Sequence, residues 1–395
     1  MPTTARASCP GWRRLRSSRV RSPSARGSSP AEQSSSSPAW SSTLAEPHGH
    51  SRGQGGQADM RRIAVIIVLT LACARTGAET EDLDAFFGSF MASTRAPGVA
   101  VAVVRAGEPE ILRGWGHDGT GRAVDADTPF WIGSNTKSLT ALLVLQQVEA
   151  GRIELDAPVQ RYLPTFRLAD PDAAGRITVR QLLNQTSGLP RAAGLIPVLE
   201  GSKATGAELL AQLRTVELAH APGTAYEYCN WNFVLLGQIL ESVTGRPWAE
   251  TLEASILEPL AMTRTFTDFT EARAGGMTRN HRYLFGLPVH APDDYLPGFA
   301  PTGYVAASAR DMARYLAALQ RGGQTEDGVH LVEQSSLERL FDGASPPARS
   351  TLLGQDFAFR YGMGWFVGPF GAAERAWWHL GTLESFSAWM AILPA

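Results

Sequence analysis

The sequence predicts an α+β fold: an antiparallel β-sheet built from both ends of the chain, with a large helical part inserted between. Two observations carry this expectation. Strand-like apolar segments stand early, in "PGVAVAVVRAGEPEILRGWG", and return late, at Gly364–Val367 and Ser385–Leu393. Between them, apolar residues recur at helical spacing. The 395 residues, 44% of them hydrophobic, are ample for a large core.

Taken in order, the early segment reads as a hairpin. Val99 to Val104 form one strand, Ala106-Gly107-Glu108 the turn, and Glu110 to Trp115 the return. From Ser134 to Glu149, Leu139, Leu142, Leu143 and Leu145 suit a mostly buried helix that Gly151 ends. Further helical patterns cover Val179–Leu183, Ala207–Val216, Phe233–Val243 and Ala309–Gln320. The sheet is therefore expected from about 96–125 and 360–395, and the helical part from about 130–350.

What precedes this domain has another character. Residues 1–59 are rich in Arg, Ser and Pro, with too little apolar content to offset the entropy of ordering, and read as a disordered or wrongly assigned leader. From Met60, "MRRIAVIIVLTLACARTGA" places two arginines before a short apolar run and small residues, the layout of a signal peptide over 60–78. Residues 79–395 are then the exported domain, periplasmic or extracellular. A competing expectation keeps the Met60–Cys73 run as the anchor of a membrane-attached interaction protein.

The formal net charge of −2 argues against nucleic acid as a partner. Of three cysteines, Cys9, Cys73 and Cys229, one falls in the expected domain, so no internal disulfide is expected. Neither H-E-x-x-H nor C-x-x-C occurs, so no metal or cofactor is expected. The G-x-G-x-x-G match at Gly114–Gly119 follows a strand but leads into loop, leaving no helix N-terminus for a pyrophosphate.

Three stretches can carry chemistry. Ser134-x-x-Lys137 uses one of only two lysines in the chain. Three positions apart on a helix, the two side chains share a face, and an amine with a depressed pKa can take the hydroxyl proton. The bland alternative is an N-cap serine with a solvated lysine. Tyr228-x-Asn230 precedes a helix; a tyrosinate there could act as general base and Asn230 could orient substrate or lysine, or the pair could be packing and cap. His379-x-Gly381, followed by Thr382, reads as a strand end where glycine admits a substrate backbone, against a packed histidine between tryptophans. G-x-S-x-G is absent, which removes the α/β-hydrolase elbow.

In this order, S-x-x-K, Y-x-N and H-x-G resemble the serine β-lactamase and penicillin-binding-protein superfamily, in particular its class C-like branch of class C β-lactamases, DD-peptidases and carboxylesterases. "TPFWIGSNTKSLTALL", "ITVRQLLNQTSGLP", "PGTAYEYCNWNFVLLGQILESVTG", "SARDMARYLAAL" and "YGMGWFV" extend the resemblance over about 96–395. It implies that Ser134 is acylated, that Lys137 and Tyr228 handle its proton, and that Asn230 contacts substrate or lysine. His379, Gly381 and Thr382 would bind substrate, and the N–H groups of Ser134 and Thr382 would form an oxyanion hole. The expected substrate is a small molecule or peptide carrying an amide or ester. Histidine at 379 departs from the K-T-G lysine and suits esterases and peptidases better. Gln185 replaces a histidine of H-T-S-G-L-P, read as structural variation.

The resemblance also implies a further strand and helix after Ser385–Leu393, that strand lying between it and the N-terminal hairpin. A gap in the sheet is therefore expected, with membrane association possible through later segments. The alternative function is a penicillin-recognising sensor or scaffold that acylates slowly or not at all. Substrate choice is placed in residues 280–304, where Tyr283, Phe285, Tyr295 and Tyr304 either line the cleft or pack the loop. Cys229 reads as a small filler.

Overall fold

Alternation along the first hairpin decides which layers the sheet separates. The computed structural model describes residues 64–70 and 80–393, apart from Glu200, Gly286, Leu353, Gly354, Gly371, Ala372 and Glu384. Strands β2 (Gly98–Arg105) and β3 (Glu108–Gly116) pair antiparallel as expected. Ala100, Ala102 and Val104 of β2 point into the main core; Val99, Val101 and Val103 point to the other face, as period two requires. That second face is covered by helix α1 (Thr80–Thr94), whose Phe87 stacks on Trp115 at 4.4 Å between centroids.

The large sheet has eight strands in the order β3-β2-β1-β13-β12-β11-β10-β9. Here β1 is Ala64–Thr70, β9 Ala348–Leu352, β10 Gln355–Tyr361, β11 Phe366–Phe370, β12 Ala373–Leu383 and β13 Phe386–Ile392. All pairs are antiparallel except those of β1, which runs parallel to both β2 and β13. The position expected to be a gap is thus taken by the apolar run of the expected signal peptide. Ala-Val-Ile-Ile-Val-Leu-Thr has the β-branched composition of an internal strand, so one pattern serves both roles. Residues 1–63 and 71–79 of the expected leader and signal lie outside the described residues.

The inserted helices pack on the other side of β2 and β13. Helix α2 (Thr136–Glu149) is buried from Thr136 through Leu145, and crosses α4 (Asn230–Thr244), buried from Trp231 to Leu240 save Gln238. The shorter α3 (Val179–Leu183) is closed by a capping box between Thr178 and Gln181, and α5 (Ala309–Gln320) lies against β2. A three-stranded sheet of β4 (Phe130–Trp131), β8 (Ala306–Ala307) and β5 (Thr265–Phe266) leads into α2. A separate ribbon joins β6 (His281–Leu284) and β7 (Leu287–His290). No helix among the described residues is long and apolar enough to cross a membrane.

Candidate active site

Between β4 and α2 the chain makes a 3-10 turn, Gly133–Asn135, which sets Ser134 at the N-terminal end of a buried helix. Unpaired N–H groups and partial positive charge collect there. Gly133 has φ +53, and a Cβ on it would stand 2.7 Å from the Thr382 nitrogen. A Cβ on Gly381 would stand 1.9 Å from the Ile132 carbonyl oxygen and 2.8 Å from the Ser134 nitrogen. The nucleophile turn and β12 therefore meet backbone to backbone, and only glycine allows it. The missing side chain of Gly381 makes room for the Ser134 turn, a contact that the sequence reading did not foresee. Ser134 and Thr382 both line one cleft.

Lys137 is fully buried. Its Nζ lies 3.0 Å from Ser134 Oγ, 3.0 Å from Asn230 Oδ1 and 2.7 Å from the Thr302 carbonyl oxygen, and 5.0 Å from the Tyr228 ring centroid. Burial pushes its pKa down to about 7, and Cys229 only partly opposes this. A solvated surface lysine is thereby excluded. Nearly half of such amines are neutral at pH 7 and able to accept a proton.

Tyr228 keeps part of its surface open to the cleft, but its hydroxyl is desolvated. Burial drives the phenol well above its ordinary value, against a hydrogen bond with Ser134 that favours ionisation. The expected tyrosinate is therefore corrected: Tyr228 is a protonated phenol beside Ser134. Asn230 opens α4 without capping through its side chain, which turns to Lys137 instead.

Gln185, read from the sequence as mere variation, supports this turn. It is fully buried at φ +60, and its Oε1 accepts from the Cys229 N–H at 2.9 Å and from Asn232 Nδ2 at 2.5 Å. Its Nε2 makes no well-formed hydrogen bond but faces the Tyr361 hydroxyl. Cys229 is the filler expected, its thiol pushed up to about 12 by burial.

His379 is 1% exposed. Its Nδ1 donates to the Leu380 carbonyl at 2.8 Å, so Nε2 is the acceptor for the Tyr361 hydroxyl at 2.9 Å. Burial, aided by the nearby Lys137 charge, holds the imidazole down to about 3. It borders the cleft as a neutral ring with both nitrogens engaged. Tyr361, at the end of β10, and the Thr302 carbonyl, in a one-turn helix at Ala300–Gly303, were not singled out from the sequence, because each meets its partner only through the tertiary fold.

The cleft measures about 490 Å³ and includes Ser134, Tyr228, Asn230, His379 and Thr382. Its wall is aromatic, with Tyr226, Phe357, Phe359, Phe366 and Trp378, and Arg191 and Arg349 stand at it. A cavity of about 920 Å³ beside Trp377 and Phe341 holds none of the singled-out residues. Tyr295 and Tyr304 stack and edge against Trp131, and Tyr283 donates to the Arg95 carbonyl; these aromatics pack the loop and do not line the cleft. Among the described residues no cluster could hold a metal ion.

The family model described as Beta-lactamase matches residues 83–395. The chain belongs to the beta-lactamase family. Penicillin-binding protein 4 of Amycolatopsis lactamdurans is 33% identical over 258 residues, covering 63% of this chain and 66% of that protein. Protein flp of Staphylococcus aureus strain N315 is 27% identical over 300 residues, 75% of this chain and 57% of flp. This beta-lactamase-family chain thus spans little more than half the length of flp. Among solved structures, the octameric penicillin-binding protein homologue from Pyrococcus abyssi superposes with a TM-score of 0.69 at 26% identity, covering 80% of this chain and 71% of the other. A D-stereospecific amidohydrolase from Streptomyces sp. reaches 0.57 at 29% identity, covering 73% and 83%.

Proposed function

We propose that this chain is an exported serine hydrolase that works through an acyl-Ser134 intermediate on an amide, peptide or ester. One observation carries the reading: a buried lysine amine, held near pKa 7, lies 3.0 Å from the Ser134 hydroxyl. In acylation, neutral Lys137 takes the Ser134 proton as Oγ attacks the substrate carbonyl carbon. The N–H groups of Ser134 and Thr382 receive the oxyanion, a contribution of about 10²–10³ in rate per donor. The phenol of Tyr228 donates to the leaving group and is reprotonated from Lys137. Water then adds to the ester, and Ser134 leaves with a proton returned through the same pair. Support from relatives lies in the amidohydrolase named above.

A second reading, a penicillin-recognising sensor that acylates slowly, draws on His379. As a neutral, fully engaged ring it supplies no cation to an anionic substrate from β12. A fluorophosphonate probe read by intact mass, on the parent and on Ser134→Ala, tests the hydrolase. Labelling of the parent alone supports it. A folded parent that takes no label removes it. A stable adduct with ester substrates, never released by water, selects the sensor.

A further inference from the structure

Half of the exposed bulky apolar side chains among the described residues gather at one point, the tip of the β6–β7 ribbon. Leu284 is 55% exposed, Phe285 96% and Leu287 63%. Phe285 follows Leu284 in the two-residue turn between the paired Leu284 and Leu287, at φ +48, a left-handed conformation that is unfavourable for an aromatic residue, and its ring is in solvent.

The base of the ribbon is fixed. The His281 N–H donates to Ser385 Oγ at 3.1 Å, Ser385 donates in turn to Asn280 Oδ1, and the Tyr283 hydroxyl donates to the Arg95 carbonyl at 2.9 Å. The two strands otherwise pair only with each other, so the ribbon stands apart from both sheets with its apolar end outward. Charge is arranged around it. Residues 274–292 contain Arg279 and Arg282 and no acidic residue, in a chain whose net charge is −2. Both arginines are exposed.

We propose that this tip inserts into the surface of an anionic lipid bilayer, with Leu284, Phe285 and Leu287 below the headgroups and Arg279 and Arg282 among them. The occupant follows from shape and charge. A stable protein interface needs roughly 800 Å² per partner, far more than three side chains on a narrow ribbon present. A bilayer accepts a narrow apolar wedge, and anionic lipid rewards the basic residues beside it. The inference is independent of the serine chemistry, because no tip residue lines the Ser134 cleft.

The full chain is sedimented with vesicles of phosphatidylcholine alone and of phosphatidylcholine with phosphatidylglycerol. It is compared with Leu284→Ser/Phe285→Ser/Leu287→Ser and with Arg279→Glu/Arg282→Glu. Expected is binding to the anionic vesicles, weakened at least about tenfold in each variant, with fluorophosphonate labelling of Ser134 and thermal unfolding unchanged. Binding that survives the tip substitution overturns the proposal and assigns adhesion to another segment. Absence of binding to anionic vesicles also overturns it. Self-association in the ultracentrifuge that the tip variant abolishes, without vesicle binding, replaces the bilayer by a second copy.

Discussion

The Lys137 amine and the Ser134 hydroxyl stand 3.0 Å apart inside the protein, and Lys137 forms no ion pair among the described residues. What surrounds the amine is neutral: the Asn230 amide, the Thr302 carbonyl and the faces of Tyr228 and Phe233. Neighbours that cannot balance a charge make an amine a base.

A pH dependence follows with a definite sign. Only the unprotonated amine can accept the Ser134 proton, so acylation rises as pH passes through about 7 and levels above it. Fluorophosphonate labelling followed from pH 5 to 9 measures this. A rate flat across that range would remove Lys137 as the base. Lys137→Ala should lower labelling by about 10²–10⁴ on the plateau above pH 7 and abolish the rise through it.

In the proposed mechanism Tyr228 acts as an acid and not as the tyrosinate expected. As a phenol kept protonated by burial, it matters most when the departing group needs a proton. Tyr228→Phe keeps the ring beneath Lys137 and removes only the hydroxyl. It should slow amide cleavage by about 10²–10⁴ and slow an activated aryl ester, whose leaving group needs no proton, much less. Equal loss on both substrates would place Tyr228 with the base.

Gln185 supports the Tyr228–Asn230 turn through one acceptor atom buried with two donors. Gln185→Leu leaves the Cys229 N–H without its partner in the interior, a cost of about 1–3 kcal/mol. The turn should loosen and admit water to Lys137. The expected result is a lower thermal midpoint together with an acylation profile displaced to higher pH. A lower midpoint with an unmoved profile would make Gln185 structural only. Gln185→Glu, which keeps the acceptor, should restore most of the stability.

The legible parts of this protein are those written in local spacing. A spacing of three positions from Ser134 to Lys137 puts both on one turn, two strand-like runs around Ala106-Gly107-Glu108 marked the β2–β3 hairpin, and apolar periodicity located α2, α3, α4 and α5. The less legible parts depend on contacts across long separations. Thr302 meets Lys137 across 165 positions, and Tyr361 meets His379 across a strand boundary. The sequence marked His379 but not the direction its nitrogens face. It marked Gly381 as needing space but not which backbone fills that space. β9 and β10 escaped notice, although Phe357, Phe359 and Tyr361 of β10 do alternate, because the expected sheet was begun only at about residue 360.

The strand β1 shows the same limit and yields a prediction of its own. Six apolar residues and a threonine suit a secretory signal and an internal strand equally, and in one molecule they cannot be both removed and paired. With β1 present, the backbone of β2 and β13 is bonded along the ladder. Without it, both strands expose unpaired N–H and C=O groups beside apolar side chains. A chain beginning at Glu79 should therefore unfold at lower temperature than one beginning at Met60, and should aggregate through the opened ladder. A peptide of residues 62–72 added in trans should recover part of the loss. Equal midpoints for the two chains, by circular dichroism, would show that β1 contributes nothing to the stability of the sheet. Mass spectrometry of the protein recovered from its native cells would then decide separately whether residues 60–78 are removed.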